Sequence, residues 1–112
     1  MTPKAERTLT KLVSLKRQRA EQALGEAHAA LRAGEARLAA LREELRKPPP
    51  ELDFTAISLS ARNGHASRLL ALVRAQEAAL RDLEAEMEAR KDELRRAFGS
   101  EQLLEDVTRT RR

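Results

Sequence analysis

The chain lacks the residue types on which most covalent and metal chemistry depends. It has no Cys among its 112 residues, so it forms neither disulfides nor thiolate metal sites. Its four glycines are scattered through helical sequence, which excludes a Gly-rich phosphate loop. His28 and His65, its two histidines, have no carboxylates at a spacing typical of a zinc site. We therefore expect no metal, no cofactor and no enzymatic activity.

Residues that favour β-strands are almost missing as well. Aromatic residues make up 2% of the sequence, and Val, Ile, Phe, Tyr and Trp together number six. In contrast, there are 20 Ala and 18 Leu, and 36% of the residues are charged. This mixture is typical of long helices and coiled coils. The composition predicts an all-α protein.

No apolar stretch is long enough to cross a bilayer, and none near the N-terminus resembles the apolar core of a secretion signal. We therefore expect a cytoplasmic protein without direct membrane insertion. The formal net charge of +4 favours an acidic partner, which is a protein, a nucleic acid or a membrane surface.

Leucines recur at heptad spacing in both halves of the chain, which predicts a coiled-coil seam on each of two helices. The seam of the first half is Ala20, Leu24, Ala27, Leu31, Gly34, Leu38, Leu41 and Leu45, with a less regular extension through Leu9, Leu12 and Val13. The seam of the second half is Leu59, Arg62, Ala66, Leu69, Val73, Gln76, Leu80, Leu83, Met87, Arg90 and Leu94. Phe98 follows one step out of register, which indicates a stutter.

Three consecutive prolines, Pro48 to Pro50, separate the two seams and cannot continue a helix. We predict a single domain over 1–112, with helix 1 at about 5–47, a Pro-rich turn at 48–53 and helix 2 at about 54–107, capped by Asp53 or Thr55. Because short links join antiparallel neighbours, the expected fold is an antiparallel two-helix coiled-coil hairpin.

A tight turn also predicts a register. Pairing 47 with 54 places Leu31 near Leu70 and Leu24 near Glu77. Residues 97–112 then extend beyond helix 1 as a C-terminal overhang. Gly64 and Gly99 are the expected weak points of helix 2, since Gly costs about 1 kcal/mol relative to Ala inside a helix.

Positive charge concentrates where the two chain ends meet in such a hairpin. Residues 1–20 contain six bases and one acid, and the C-terminus adds Arg109, Arg111 and Arg112, whereas 77–93 is more acidic. Leucines accompany the bases. We predict that this end binds a partner through Leu9, Lys11, Leu12, Leu15, Lys16, Arg17, Arg19, Phe98, Leu103, Leu104, Val107 and Arg109.

The layout resembles the FliJ and YscO family of type III export proteins. The resemblance lies in the opening L-x-x-L-K-R-x-R, Leu12 to Arg19, the mid-chain break, and the charged helical tail "LRRAFGSEQLLEDVTRTRR" at 94–112. It implies a stalk, in a flagellar or injectisome system, whose two-terminus end inserts into a hexameric export ATPase. It also implies contact with the cytoplasmic domain of the export gate and with export chaperones.

Two other functions fit the composition. A generic scaffold or dimerisation coil would pair two hairpins in a four-helix bundle. A nucleic-acid-binding coil would bind phosphates through its Lys and Arg side chains. However, aromatic side chains on which nucleobases could stack are scarce, and 77–93 is acidic. We expect no nucleic-acid partner.

Overall fold

The protein is an antiparallel two-helix hairpin. The computed structural model describes residues 2–47 and 56–110, so the predicted turn at 48–53 and the capping residues Asp53 and Thr55 lie outside the described residues. Helix α1 spans Pro3–Arg46 and helix α2 spans Ala56–Thr110, and the described chain contains no strand. The all-α prediction is confirmed. Helix α2 continues through Gly64 and Gly99 and ends three residues later than predicted.

Helix α1 begins where its first residues provide a cap. The Ala5 backbone N–H donates to Thr2 Oγ1 at 3.1 Å, and the Glu6 N–H donates to the Thr2 carbonyl at 3.0 Å. Pro3 takes the first helical position, where its missing N–H costs nothing and its fixed φ suits the helix. The helix therefore begins at Pro3, two residues earlier than predicted.

The chain divides into two compact units. The terminal unit contains residues 2–29 and 84–110 of the described chain, and therefore the described residues nearest both chain ends. The middle unit contains residues 30–47 and 56–83.

The middle unit holds most of the buried apolar side chains. Both predicted seams contribute to it, and the buried side chains are Leu31, Leu38, Leu69, Val73 and Leu80. Leu45, predicted as part of the seam, is 39% exposed. Gln76 is half-buried, and its Nε2 donates to the Gly34 carbonyl at 3.2 Å.

The helices approach each other closely at Gly34. A Cβ atom there would lie 2.8 Å from Leu80 Cδ2 and 3.2 Å from Leu83 Cδ1, which is closer than van der Waals contact allows. The leucines of α2 therefore fill the space that any larger side chain at position 34 would need. This contact fixes the register of the middle unit.

The predicted register was wrong. It placed Gly34 opposite residue 67, whereas Gly34 contacts Leu80 and Leu83, roughly two heptads further along α2. In the terminal unit, Arg17 bonds Glu101 and His28 lies against Met87, a displacement in the same direction. A coiled-coil seam repeats every seven residues, so a shift by whole heptads still brings seam against seam. The repeat alone therefore cannot select one register.

The expected C-terminal overhang was also wrong. Glu101, Leu104 and Thr108 lie alongside Thr10 and Ser14 of α1 and border the same small cavity. Positions 97, 101, 104 and 108 are half-buried, and they continue the seam after Leu94 at regular heptad spacing. Phe98 is 49% exposed and lies beside this seam, so no stutter occurs there.

The close approach at Gly34 predicts a position-specific effect of one substitution. Gly34→Leu should lower the free energy of unfolding by about 1–3 kcal/mol, because Leu80 and Leu83 must move apart. Gly25→Leu is the matched control on the same helix, since a Cβ there meets nothing within 4 Å. It should raise stability by up to about 1 kcal/mol through helix propensity. Urea unfolding followed by circular dichroism measures both, and equal effects would contradict the proposed packing.

Candidate partner-binding surface

The terminal unit exposes most of the apolar side chains that were predicted to bind a partner. Four leucines, one valine and one phenylalanine of this unit are between 39% and 67% exposed: Leu9, Leu12, Leu15, Leu103, Val107 and Phe98. Lys11, Lys16, Arg19 and Arg109 are exposed as well. Leu104 differs, because it is half-buried in the seam.

Arg17 also differs from the other predicted residues, since it is held between the helices. Its Nε donates to Glu101 Oε2 at 2.7 Å, and its Nη1 donates to Glu21 Oε1 at 2.8 Å. Its guanidinium carbon lies 5.8 Å from the centre of the Phe98 ring. The hydrogen bond that Arg17 donates to Glu101, followed by the one that it donates to Glu21, raises the pKa of Arg17 above its ordinary value. Arg17 therefore stabilises the hairpin locally.

Two chemically different faces flank the seam of the terminal unit. We call one of them the groove face, because a shallow groove between the helices opens on it. It is lined by Lys16, Arg19, Ala20 and Ala23 of α1 and by Glu93, Arg96, Ala97 and Ser100 of α2. Leu9, Leu12 and Leu15 border Lys16 and Arg19 on the same side of α1. Leu103 and Val107 follow Ser100 at steps of three and four residues, which keeps them on this side of α2.

The other face carries Phe98, which is also a member of the predicted set. Phe98 lies there with Arg17, near the cavity bordered by Thr10, Ser14 and Glu105. The twelve predicted residues therefore do not form one continuous patch. The exposed leucines and two of the bases share the groove face, whereas Phe98 and Arg17 lie across the seam from them.

The charges of the terminal unit are unevenly compensated. The acidic part of α2 is paired within its own helix, through Arg90 with Glu86 and Glu93, Lys91 with Glu88 and Arg95 with Asp92. Bonds from Glu93 and Glu86 raise the pKa of Arg90. In contrast, Lys11, Lys16, Arg19 and Arg109 form no ion pair with any described residue. The positive charge of this unit is therefore available to a partner.

Few apolar side chains are buried in the terminal unit. Among its described residues only Ala27 reaches full burial, at 8% exposure. Its seam contains charged, polar or small residues where the middle unit has leucines and valine: Arg17, Ala20, Arg90, Ala97, Glu101 and Thr108. The leucines of this seam are only half-buried, and six large apolar side chains of the unit lie outside it, where a partner can cover them.

No cluster of three or more potential metal ligands occurs among residues 2–47 and 56–110. Within the same residues, neither helix has a segment sufficiently apolar and long to cross a bilayer.

Sequence reasoning predicted Leu103 and Val107 but missed the rest of the α2 side of the groove face. Arg96 and Ser100 were not among the predicted binding residues, yet they line the groove. The sequence does contain a pattern that could have found these residues. Positions 96, 100, 103 and 107 have heptad spacing, and each lies one residue before a position of the α2 seam. Only the packing of the two helices shows that this second stripe lies beside Leu12, Lys16 and Arg19.

Comparison with known proteins identifies no relative: no family model, no curated protein and no solved structure matches the chain.

The bonding of Arg17 predicts a charge-swap experiment. Arg17→Glu places a third carboxylate beside Glu21 and Glu101, so the melting temperature should fall by several degrees. Adding Glu101→Arg should restore most of the loss, because the pair is then re-formed with opposite polarity. Thermal melting followed by circular dichroism measures each step.

Arg95→Glu serves as the control for this swap. Arg95 is 71% exposed, and Asp92 of its own helix is its only ion-pair partner among the described residues; such surface pairs contribute little. A fall as large as that of Arg17→Glu, or no rescue by Glu101→Arg, would contradict a stabilising contact between the helices.

Proposed function

We propose that the chain is a non-enzymatic stalk component of a type III protein export apparatus, as its resemblance to the FliJ and YscO family implies. In this function the terminal unit enters the central opening of a hexameric export ATPase. The hairpin connects that ring to the cytoplasmic domain of the export gate, with export chaperones as further partners. The protein then works in the cytoplasm, at the periphery of the membrane-bound apparatus.

One observation supports this proposal most directly. The terminal unit combines bases that have no ion-pair partner among the described residues with six exposed large apolar side chains. Bases with apolar neighbours suit an acidic protein partner, since the charges guide association and the apolar side chains supply buried area. The antiparallel hairpin brings both contributing segments, one from each helix, into this unit.

Stimulation of the export ATPase tests the proposal. Arg19→Glu reverses an exposed charge that forms no ion pair with a described residue, so it should weaken binding to the hexamer and reduce stimulation several-fold without unfolding the hairpin. Arg37→Glu is the matched control, because Arg37 is an exposed base of α1 in the middle unit. Steady-state ATP hydrolysis is measured at rising concentrations of each variant.

Equal stimulation by Arg19→Glu and the unmodified chain, with unchanged helical content, would contradict the stalk assignment. Arg17 is unsuitable for this purpose, because its reversal would also disturb the contact with Glu101.

A dimerisation coil is the second candidate, and the same exposed apolar side chains favour it. Two hairpins that cover these side chains would form a four-helix bundle. Sedimentation equilibrium separates the two functions. A monomer over the micromolar range agrees with the stalk, whereas an obligate dimer that buries the terminal unit supports the scaffold.

A further inference from the structure

The groove between the two helices of the terminal unit has a floor of small side chains. Ala20 and Ala23 of α1 face Ala97 and Ser100 of α2 across it. Small residues in such positions let another helix axis approach to roughly 8–10 Å, the spacing of packed helices. The groove therefore has a floor against which an α-helix can pack closely.

Side chains at heptad spacing border this floor on both helices. They are Leu12, Lys16, Arg19 and Ala23 on α1, and Arg96, Ser100, Leu103 and Val107 on α2. Each row lies beside the seam, so each helix has a second stripe of side chains along the edge of its contact with the partner helix. Leu12, Leu103 and Val107 are exposed by 54%, 67% and 47%. A third helix lying along the groove would cover both rows.

The charge at the groove selects among possible occupants. Lys16, Arg19 and Arg96 border it against a single acid, Glu93. None of the three bases forms an ion pair with a described residue, although Arg96 Nε donates to the backbone carbonyl of Asp92 at 3.4 Å. An occupant with Glu or Asp beside its apolar ridge would pair these bases.

We propose that the groove face binds an amphipathic helix of a partner protein, one whose apolar ridge is flanked by acidic residues, and that this helix completes a three-helix bundle. A second copy of the chain is a poor occupant, because an isologous contact would place the same bases against each other. A lipid surface is also a poor occupant, since it cannot enter a concave floor of small residues.

This inference rests on the proposed function, in which the terminal unit of the stalk binds partners. It adds which face of the unit binds and what chemistry the partner has there. An ATPase ring would surround both faces of the unit, whereas a docked helix occupies one. The test below contains no ATPase. If the peptide does not bind, the effect of the chain on ATP hydrolysis still tests the stalk function. If the chain does not stimulate the ATPase, peptide binding still tests the groove.

The test uses designed peptides and the intact chain. The probe is a fluorescein-labelled peptide of three heptads with Leu at both seam positions and Glu on either side. The first control peptide has Lys in place of Glu, and the second has Ser in place of Leu. We expect the acidic peptide to bind roughly tenfold or more tightly than either control in fluorescence anisotropy, with an affinity that falls as salt is raised.

Two tryptophan variants locate the site. Ser100→Trp fills the groove and should lower affinity for the acidic peptide roughly tenfold. Gln102→Trp adds the same side chain on an exposed position of α2, outside the groove, and should leave affinity unchanged. Nuclear magnetic resonance titration should shift the amide signals of Ala20, Ala23 and Ala97 more than those of Thr10 and Glu105.

Several results would overturn the inference. These are no binding of the acidic peptide at millimolar concentration, equal binding of the Lys peptide, or equal loss of affinity in both tryptophan variants. Tighter binding to anionic lipid vesicles or to duplex DNA than to the acidic peptide would assign the face to a different class of partner. Concentration-dependent self-association blocked by Ser100→Trp would assign the groove to a second copy.

Discussion

The close contact of α1 with α2 at Gly34 determines how the hairpin is assembled. Leu80 and Leu83 occupy the space beside a residue that has no side chain, and Gln76, about one turn before Leu80 on α2, donates to the Gly34 carbonyl. A shift of one helix by a heptad would replace Gly34 with a leucine or an alanine at this contact. The leucines that surround it provide the buried apolar area. Each Å² of apolar surface removed from water stabilises the fold by roughly 25 cal/mol. The contact at Gly34 is one of the contacts that define which leucines meet, together with those of Arg17 with Glu101 and of His28 with Met87.

The two units use the same two helices for different purposes. In the middle unit, buried leucines and valine pack between the helices and hold them together, although Leu45, Leu70 and Leu72 are exposed. In the terminal unit the seam mixes half-buried leucines such as Leu24, Leu94 and Leu104 with charged and small residues, among them Arg17 bonded to Glu101. Six further large apolar side chains of this unit lie outside the seam and are exposed. All of these but Phe98 share a face with bases that have no ion-pair partner among the described residues. The distribution of apolar surface thus follows the distribution of function that we propose.

Heptad spacing and the proline triplet were sufficient to predict an all-α antiparallel hairpin and most of the seam of α1. They were insufficient for the register, because shifts by whole heptads keep leucine against leucine, and specific contacts such as those of Gly34 and Arg17 distinguish the shifts only in the folded structure. The wrong register produced the wrong overhang. It also hid the second stripe of α2, since Arg96 and Ser100 face Arg19 only in the observed pairing. Arg17 was grouped with the exposed bases because sequence spacing does not show that Glu101 lies across the seam.

Spin-label distances within the terminal unit measure the register most directly. The chain has no Cys, so cysteines introduced at 14 and 105, or at 14 and 88, are the sole labelling sites. Ser14 and Glu105 border the same cavity, whereas residue 88 lies about 25 Å further along α2 and is nearly opposite position 14 in the rejected register. With labelled protein diluted in unlabelled protein, the 14/105 distance should be the shorter by roughly 15–20 Å. A shorter 14/88 distance would contradict the register, and with it the groove face.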